Sequence, residues 1–376
     1  MEIILGTLEF GAIGGAATYL TTVAGQLQQL GHEVTIYTEE AGDLAREVEQ
    51  RGIRVAVGEG ALPDDCDALY AQDGPSAYLL AERYPERAQA FCMHAGPSEF
   101  TRWLPPQLPG VVGAVVVLHQ RMAQQAAALA ECKEIVRLRQ PVELTRFAPR
   151  AAIAESPRRA LLLGNYLTGE RRAVVLRACE QAELDVTEVG RYGDRSSLTP
   201  EQEINLVDIV IGEGRTIVEA MACGRAAFVY GQMGGDGWVT PETYPELEAI
   251  NFAGATADDS LVAPEDLTAR LREYRASMGS ANRDLARLHH SASRHTEQLV
   301  ELFERLTPGR PPADAPLREL ARMARAQWQA ESRALGAAHE ARLLSSRLQE
   351  AEARAATAEY HLSKPWYRRL RRPRRN

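Results

Sequence analysis

The sequence predicts an α/β protein: two doubly wound, parallel-sheet domains facing one another across a cleft, then a long C-terminal helix. Three observations predict it. Short apolar runs of strand length alternate with amphipathic helical stretches from the start of the chain to about residue 305. The alternation breaks once, at the aperiodic segment RFAPRAAIAESP (146–157), and then restarts. Beyond the Pro-rich stretch at 306–316, apolar residues and alanines recur at spacings of three and four as far as residue 362.

Taken in order, EIILGTL (2–8) is the first strand, followed by Gly11, Gly14 and Gly15 and a helix over about 16–30. Ala17, Leu20, Val23, Ala24, Leu27 and Leu30 supply its apolar face, and Gly31 is its expected stop. EVTIYT (33–38) completes a βαβ unit, whose right-handed crossover makes the two strands parallel. Further strands are expected at 53–57, 67–71, 89–93, 113–118 and 134–138, with helices such as 76–83 and 120–131 between them. The first domain is therefore expected over 1–145. The second, over 158–305, runs strand 159–163, helix 170–182, strands 184–189 and 207–211, helix 215–222, strand 226–230, and a helical region over 264–305. Residues 306–316 read as a linker, 317–362 as a coiled coil or long helix ended by Pro365, and 363–376 as a basic tail. Gln327 and Gly336 interrupt or flank the helical seam, and a packed hairpin or an isolated solvated helix are its other readings.

Composition bounds the function. The 376 residues are 45% hydrophobic and 25% charged, a soluble globular balance with ample core, which excludes disordered, collagen-like and disulfide-stapled classes. No signal peptide is expected at Met1-Glu2, and no run reaches the roughly 20 apolar residues that span a bilayer. Cysteines 66, 92, 132, 179 and 223 form no CxxC pair, so a reducing, cytoplasmic setting without structural zinc is expected. The net charge of −8 is unevenly placed: residues 317–376 carry 14 basic and 6 acidic side chains, against 29 and 45 in residues 1–316. An acidic body argues against general nucleic-acid binding.

The chemistry lies in two loops. Gly11, Gly14 and Gly15 have the spacing GxxGG, which fails the dinucleotide fingerprint but lets a phosphate approach a helix N-terminus. A tight turn without ligand is the other reading, and Glu39 after the second strand is a weak ribose candidate. The second loop is Gly212-Glu-Gly-Arg-Thr-Ile-Val-Glu219-Ala-Met-Ala-Cys-Gly224. Its helix N-terminus and Arg215 favour an anion. Glu219, beside Ile217 and Val218, either binds both hydroxyls of a ribose or is a surface carboxylate.

The glycine-rich first loop, GHEVTIYT (31–38), PVELTRF (141–147) and EAMACGRAAFVY (219–230) occur in an order that resembles the GT-B glycosyltransferases, specifically the retaining glycosyltransferase family 4, over about residues 1–305. The resemblance implies two Rossmann-like domains, the first on the acceptor side and the second binding a nucleoside-diphosphate sugar. It implies that Gly14 and Gly15 approach the donor diphosphate and that His94 lies beside the transferred sugar. Arg171, with Arg172 as its nearest substitute, then binds the diphosphate, and Glu219, the second acid of the E-x7-E motif, binds the ribose. Three departures stand against it. Ile211 replaces the first acid of that motif, leaving Glu213 to reach the sugar; Asn165 replaces a phosphate-binding arginine; and only about 17 residues separate Gly190 from Val207. The loop 234–240 offers Asp236 to sugar hydroxyls and Trp238 to a sugar or base.

The implied activity is metal-independent transfer of a sugar, hexosyl or related, to an acceptor hydroxyl, in glycan, cell-envelope or glycoconjugate biosynthesis. No cofactor beyond the donor is expected, and no DxD motif accompanies Asp64 and Asp65. The acceptor, whether glycan, lipid-linked or a small molecule, is not fixed by these residues. Two other classes stay open: a degenerate GT-B protein that binds nucleotide sugar or glycan without turnover, and a scaffold assembling through 317–362. A sugar-nucleotide epimerase would need acid/base residues that the sequence does not offer. The tail 364–376 holds seven positive charges with Trp366 and Tyr367, which fits contact with an anionic membrane surface, a solvated tail, or binding of RNA or an acidic partner.

Overall fold

The computed structural model describes residues 1–11, 14–94, 101–129, 134–164, 167, 169–190, 197, 199–231, 234–254 and 263–363. Its first half runs β1 (Glu2–Phe10), α1 (Gly15–Gln29), β2 (Glu33–Ala41), α2 (Asp43–Gln50), β3 (Arg54–Val57), β4 (Ala68–Ala71), α3 (Gly74–Arg83), β5 (Ala88–Met93), β6 (Ala114–Val117), α4 (Gln120–Leu129) and β7 (Ile135–Arg137). The strands form one parallel sheet in the order β3-β2-β1-β4-β5-β6-β7. Ile3 pairs with both Val34 and Ala68, so the strand order reverses at β1 and β4, and ligand crevices in open α/β sheets form at such a reversal. Near-continuous apolar strands such as AVVV in β6 suit burial on both faces.

The second half runs β8 (Arg159–Leu163), α5 (Gly169–Gln181), β9 (Asp185–Val189), α6 (Pro200–Asn205), β10 (Ile209–Gly212), α7 (Arg215–Ala222), β11 (Ala226–Tyr230), β12 (Gly235–Trp238), α8 (Tyr244–Ala249), α9 (Pro264–Leu271), α10 (Ser277–His289) and α11 (Ala292–Arg305). Its sheet order is β12-β11-β10-β8-β9, reversing at β8 and β10. The two Rossmann-like sheets face one another across a cleft. Gly31 and Gly224 end α1 and α7 in the left-handed region, as their positions predict.

Three features differ from the sequence expectation. Residues 235–238 form an antiparallel edge strand on β11 rather than an open loop, because Trp238 buries itself against Phe228. α11, expected with the second half, packs its Leu299, Leu302 and Phe303 into the first core beside Tyr19 and Tyr70. The Pro-rich stretch is laid along the first half, with Gly309 so near Gly110 that a Cβ on it would meet the Gly110 carbonyl oxygen at 2.0 Å.

α12 (Leu317–Ser363) is one helix of 47 residues, about 70 Å long at 1.5 Å per residue. Its start belongs to the body: Leu317 packs with Ala81 and Val111, and Arg318 pairs with Glu59 and Glu82 at 3.0 and 3.1 Å. From Arg325 onward the chain forms a separate unit. The tail residues 364–376, including Trp366 and Tyr367, lie outside the described residues.

Candidate functional site

The reversal in each sheet gathers polar groups at the strand ends. In the first half, His94 follows β5, with its Nε2 3.0 Å from Gln72 Oε1 beyond β4. Gln72 Nε2 donates to Thr7 Oγ1 at 2.9 Å, and that hydroxyl donates on to the Glu9 carbonyl. Followed from the carbonyl backward, every acceptor is assigned: Gln72 Oε1 must accept, so His94 carries its proton on Nε2 and keeps a lone pair on Nδ1. The ring packs edge-on between Tyr19 (5.1 Å) and Trp103 (5.4 Å). Burial, with Arg102 nearby, pushes its pKa down to about 3, so it is neutral at physiological pH.

Arg102 braces this wall. It pairs with Glu9 at 3.0 Å, approaches Asp73 at 3.7 Å, and lies over the Trp103 ring at 4.3 Å. Asp73 is held in turn by the Ser76 and Leu8 amides, the first of which caps α3. Gly14 stands before α1 in extended conformation, and a Cβ on it or on Gly15 would meet nothing within 4 Å. Packing within the chain therefore does not require these two glycines.

In the second half, Arg171 on α5 and Glu213 beyond β10 converge on one turn. The Gly231 amide donates to the Gly234 carbonyl at 2.9 Å, closing the turn after β11. A Cβ on Gly231 would fall 1.7 Å from Glu213 Oε2, and one on Gly234 would fall 3.6 Å from Arg171 Nη1. A guanidinium and a carboxylate thus border one small backbone arch at the carboxyl end of the sheet. Asp236 is half-buried on β12 nearby. Asn165 lies outside the described residues.

Four expected residues are engaged within the fold. Arg172 makes a two-pronged bond to Glu188 on β9, with both distances 2.6 Å. Arg215 bonds Glu219 at 2.8 Å, the Pro141 carbonyl at 3.1 Å and Thr22 Oγ1 of α1 at 3.0 Å, so it ties the two halves together. Glu219, buried against it, has its pKa raised by desolvation. Trp238 donates its indole N–H to the Arg270 carbonyl at 2.7 Å and is buried inside the second core.

Sequence reasoning missed Gln72, Tyr19, Arg102 and Trp103 around His94. Only Gln72-Asp73-Gly74, a strand end running into a capped helix, left a local signal. Among the described residues, no group of three or more His, Cys, Asp or Glu is placed to hold a metal ion, and no helix is long and apolar enough to cross a membrane.

No family model matches the sequence, and no curated protein matches it by sequence. Solved structures do match in fold. Alr3699/HepE from Anabaena, solved with UDP, with UDP and glucose, and with UDP-glucose, is 13 or 14% identical at a TM-score of 0.57, covering 81% of this chain and 100% of that one. A glycosyltransferase from Rickettsia africae is 17% identical at 0.53, covering 80% and 97%. The glycotransferase of kitacinnamycin is 16% identical at 0.50, covering 80% and 98%. With the two facing sheets, these likenesses give the chain a GT-B fold.

Proposed function

We propose that this chain is a metal-independent glycosyltransferase that moves a sugar, hexosyl or related, from a nucleoside-diphosphate donor to an acceptor hydroxyl. The observation that carries the reading is the convergence of Arg171 and Glu213 on the 231–234 turn. An anion-binding cation and a hydroxyl-binding carboxylate stand together at the strand ends where ligands of this fold class sit. That Alr3699/HepE was solved with UDP-glucose supports the donor class.

In this reading Arg171 neutralises charge growing on the departing diphosphate, while Gly14 and Gly15 leave room for it at the start of α1. His94 turns its Nδ1 lone pair to a hydroxyl of the transferred sugar, and Glu213 holds a second hydroxyl, with Asp236 as a further polar contact. Glu219 offers the ribose its Oε2, since Oε1 holds Arg215. Arg172 and Arg215 serve as structural partners of this site, and Asn165 adds a polar contact. Closure of the halves excludes water and aligns the acceptor. Retention of configuration and membership of glycosyltransferase family 4 complete the proposal. The heptad seam of 317–362 pairs helices of two copies, and the basic tail meets an anionic membrane on the cytoplasmic side during glycan or cell-envelope synthesis.

One observation favours a second reading, a donor-binding protein without turnover. Arg172 and Arg215 are both taken up by carboxylates, which leaves fewer cations for a diphosphate. Calorimetry and hydrogen exchange with UDP-, GDP- and ADP-sugars test both. Binding with protection at 164–172 and 212–224, lost in Arg171→Ala, is expected, and measured sugar transfer separates the enzyme from the binder. No binding of any donor at millimolar concentration refutes both.

A further inference from the structure

A cavity whose lining includes neither Arg171 nor Glu213 lies where the chain passes from α10 to α11. Its volume is about 360 Å³, and its wall includes Arg137, Arg139, His289, Ser291, Arg294 and Gln298. No acidic side chain among the described residues lines it. Arg137 and Arg139 share one buried carboxylate, Glu248 of α8, with Arg139 Nε at 3.2 Å. Arg137 Nε is buried and makes no hydrogen bond among the described residues. Arg294 and Gln298 make no side-chain hydrogen bond or ion pair among the described residues. His289 stacks on Tyr244 at 5.2 Å and leaves both ring nitrogens unbonded among the described residues. Two guanidinium groups therefore share one carboxylate, and Arg294, Gln298 and His289 add donors that are unbonded among the described residues.

We infer that this cavity is a binding site for a small phosphorylated molecule of about sugar-phosphate size, distinct from the donor site. A phosphoryl group offers several acceptors to several guanidinium and amide donors, and arginine holds it in two-pronged fashion. The volume is at the lower end of small-molecule sites, which admits a phosphate with a compact polar body and excludes a macromolecular ligand. Since Arg137 and Arg139 belong to the first half and Glu248 to the second, the site stands on a joint between them. The inference does not depend on the transferase reading.

Calorimetry on the full chain tests it, with inorganic phosphate, glucose 6-phosphate and uncharged glucose as probes. Glucose 6-phosphate is expected to bind and glucose to give no heat. Arg294→Glu, an exposed and unbonded position that folding does not use, is expected to weaken binding at least about tenfold, and Gln298→Ala about threefold. Arg171→Ala is expected to leave the affinity within about twofold, because it belongs to the other site. Absence of heat from glucose 6-phosphate to roughly 10 mM, or unchanged affinity in Arg294→Glu, overturns the inference. Loss confined to Arg171→Ala overturns it too, since the phosphate would then be in the donor site.

Discussion

Glu219→Ala separates what the fold needs from what a donor would need. Glu219 and Arg215 keep 8% and 11% of their side-chain exposure and lie 2.8 Å apart. Removing the carboxylate leaves a guanidinium in a nearly dry site, still tied to the Pro141 carbonyl and Thr22. Breaking a buried pair from one side costs about 3–5 kcal/mol, and the two surviving bonds put the expected loss near the lower figure, about 3 kcal/mol. Arg215→Met is gentler, about 1–2 kcal/mol, because the stranded Glu219, its pKa already raised by burial, can take a proton whereas arginine cannot lose one. Urea unfolding at pH 7, followed by tryptophan fluorescence and circular dichroism together, measures both from the shift in midpoint at constant slope. Glu219→Ala within about 0.5 kcal/mol of wild type, or Arg215→Met costing more than it, would refute the argument. Glu219→Gln keeps an acceptor for Arg215, so donor affinity lost in Glu219→Gln beyond its small stability loss reports on the ribose alone.

Four more outcomes are expected. His290 and His295 are buried as neutral rings with pKa values of about 3 and about 4, their Nδ1 atoms against the Gln140 and Arg139 carbonyls. Both lie below the unfolded value near 6.5, so their stabilising contribution is complete above that pH and lost as pH falls toward 4; His290→Gln should flatten the unfolding slope near pH 5 by about 1.4 kcal/mol per pH unit. Trp238→Ala should cost about 3–5 kcal/mol in urea unfolding, with donor affinity unchanged once folded, whereas a sugar-stacking tryptophan would lose affinity. Gln72→Leu releases the His94 ring and should lower turnover about tenfold with donor affinity held; unchanged turnover would remove the positioning role. Gly231→Ala should displace the Glu213 carboxylate, cut turnover up to about 100-fold like Glu213→Ala, and lower the unfolding free energy in urea by less than about 1.5 kcal/mol; full activity would end the role given to Glu213.

Strand and helix order was legible because each half repeats one local rule, an apolar run followed by an amphipathic stretch. The edge strand 235–238 was not, since GDGW has the composition of a turn and its ladder to β11 exists only once Trp238 finds Phe228. The destination of α11 was hidden for a similar reason. Its apolar stripe says that it packs, and only the crossing of the chain at Val142 and Ser291 says on which core. At the site, glycines and charges were visible as types, but their partners were not. Arg215 reads as a cation beside a helix start, and its use depends on Thr22, 193 residues earlier. Tyr19 and His295, in contact at 3.0 Å, are 276 residues apart, beyond any periodicity argument.

Strand register explains why position 211 holds no acid. Ile211 lies inside β10, paired with Phe228 on one side and Leu162 on the other, and is 1% exposed in an apolar layer with Tyr230 and Trp238. A carboxylate there would be desolvated within an apolar layer. The strand ends at Gly212, where any Cβ would meet the Leu163 carbonyl oxygen at 2.7 Å, so the chain can pass the end of β8 only as glycine. The next position is the first at which a side chain clears the sheet, and it holds Glu213. Gly214 at φ 60 then turns the backbone directly into α7. Gly231, across the arch, lacks the one atom that would collide with the Glu213 carboxylate. The sheet thus leaves 213 as the first position at which an acid clears it, beside the space that Gly231 leaves open, and this is the geometry on which the proposed role of Glu213 rests.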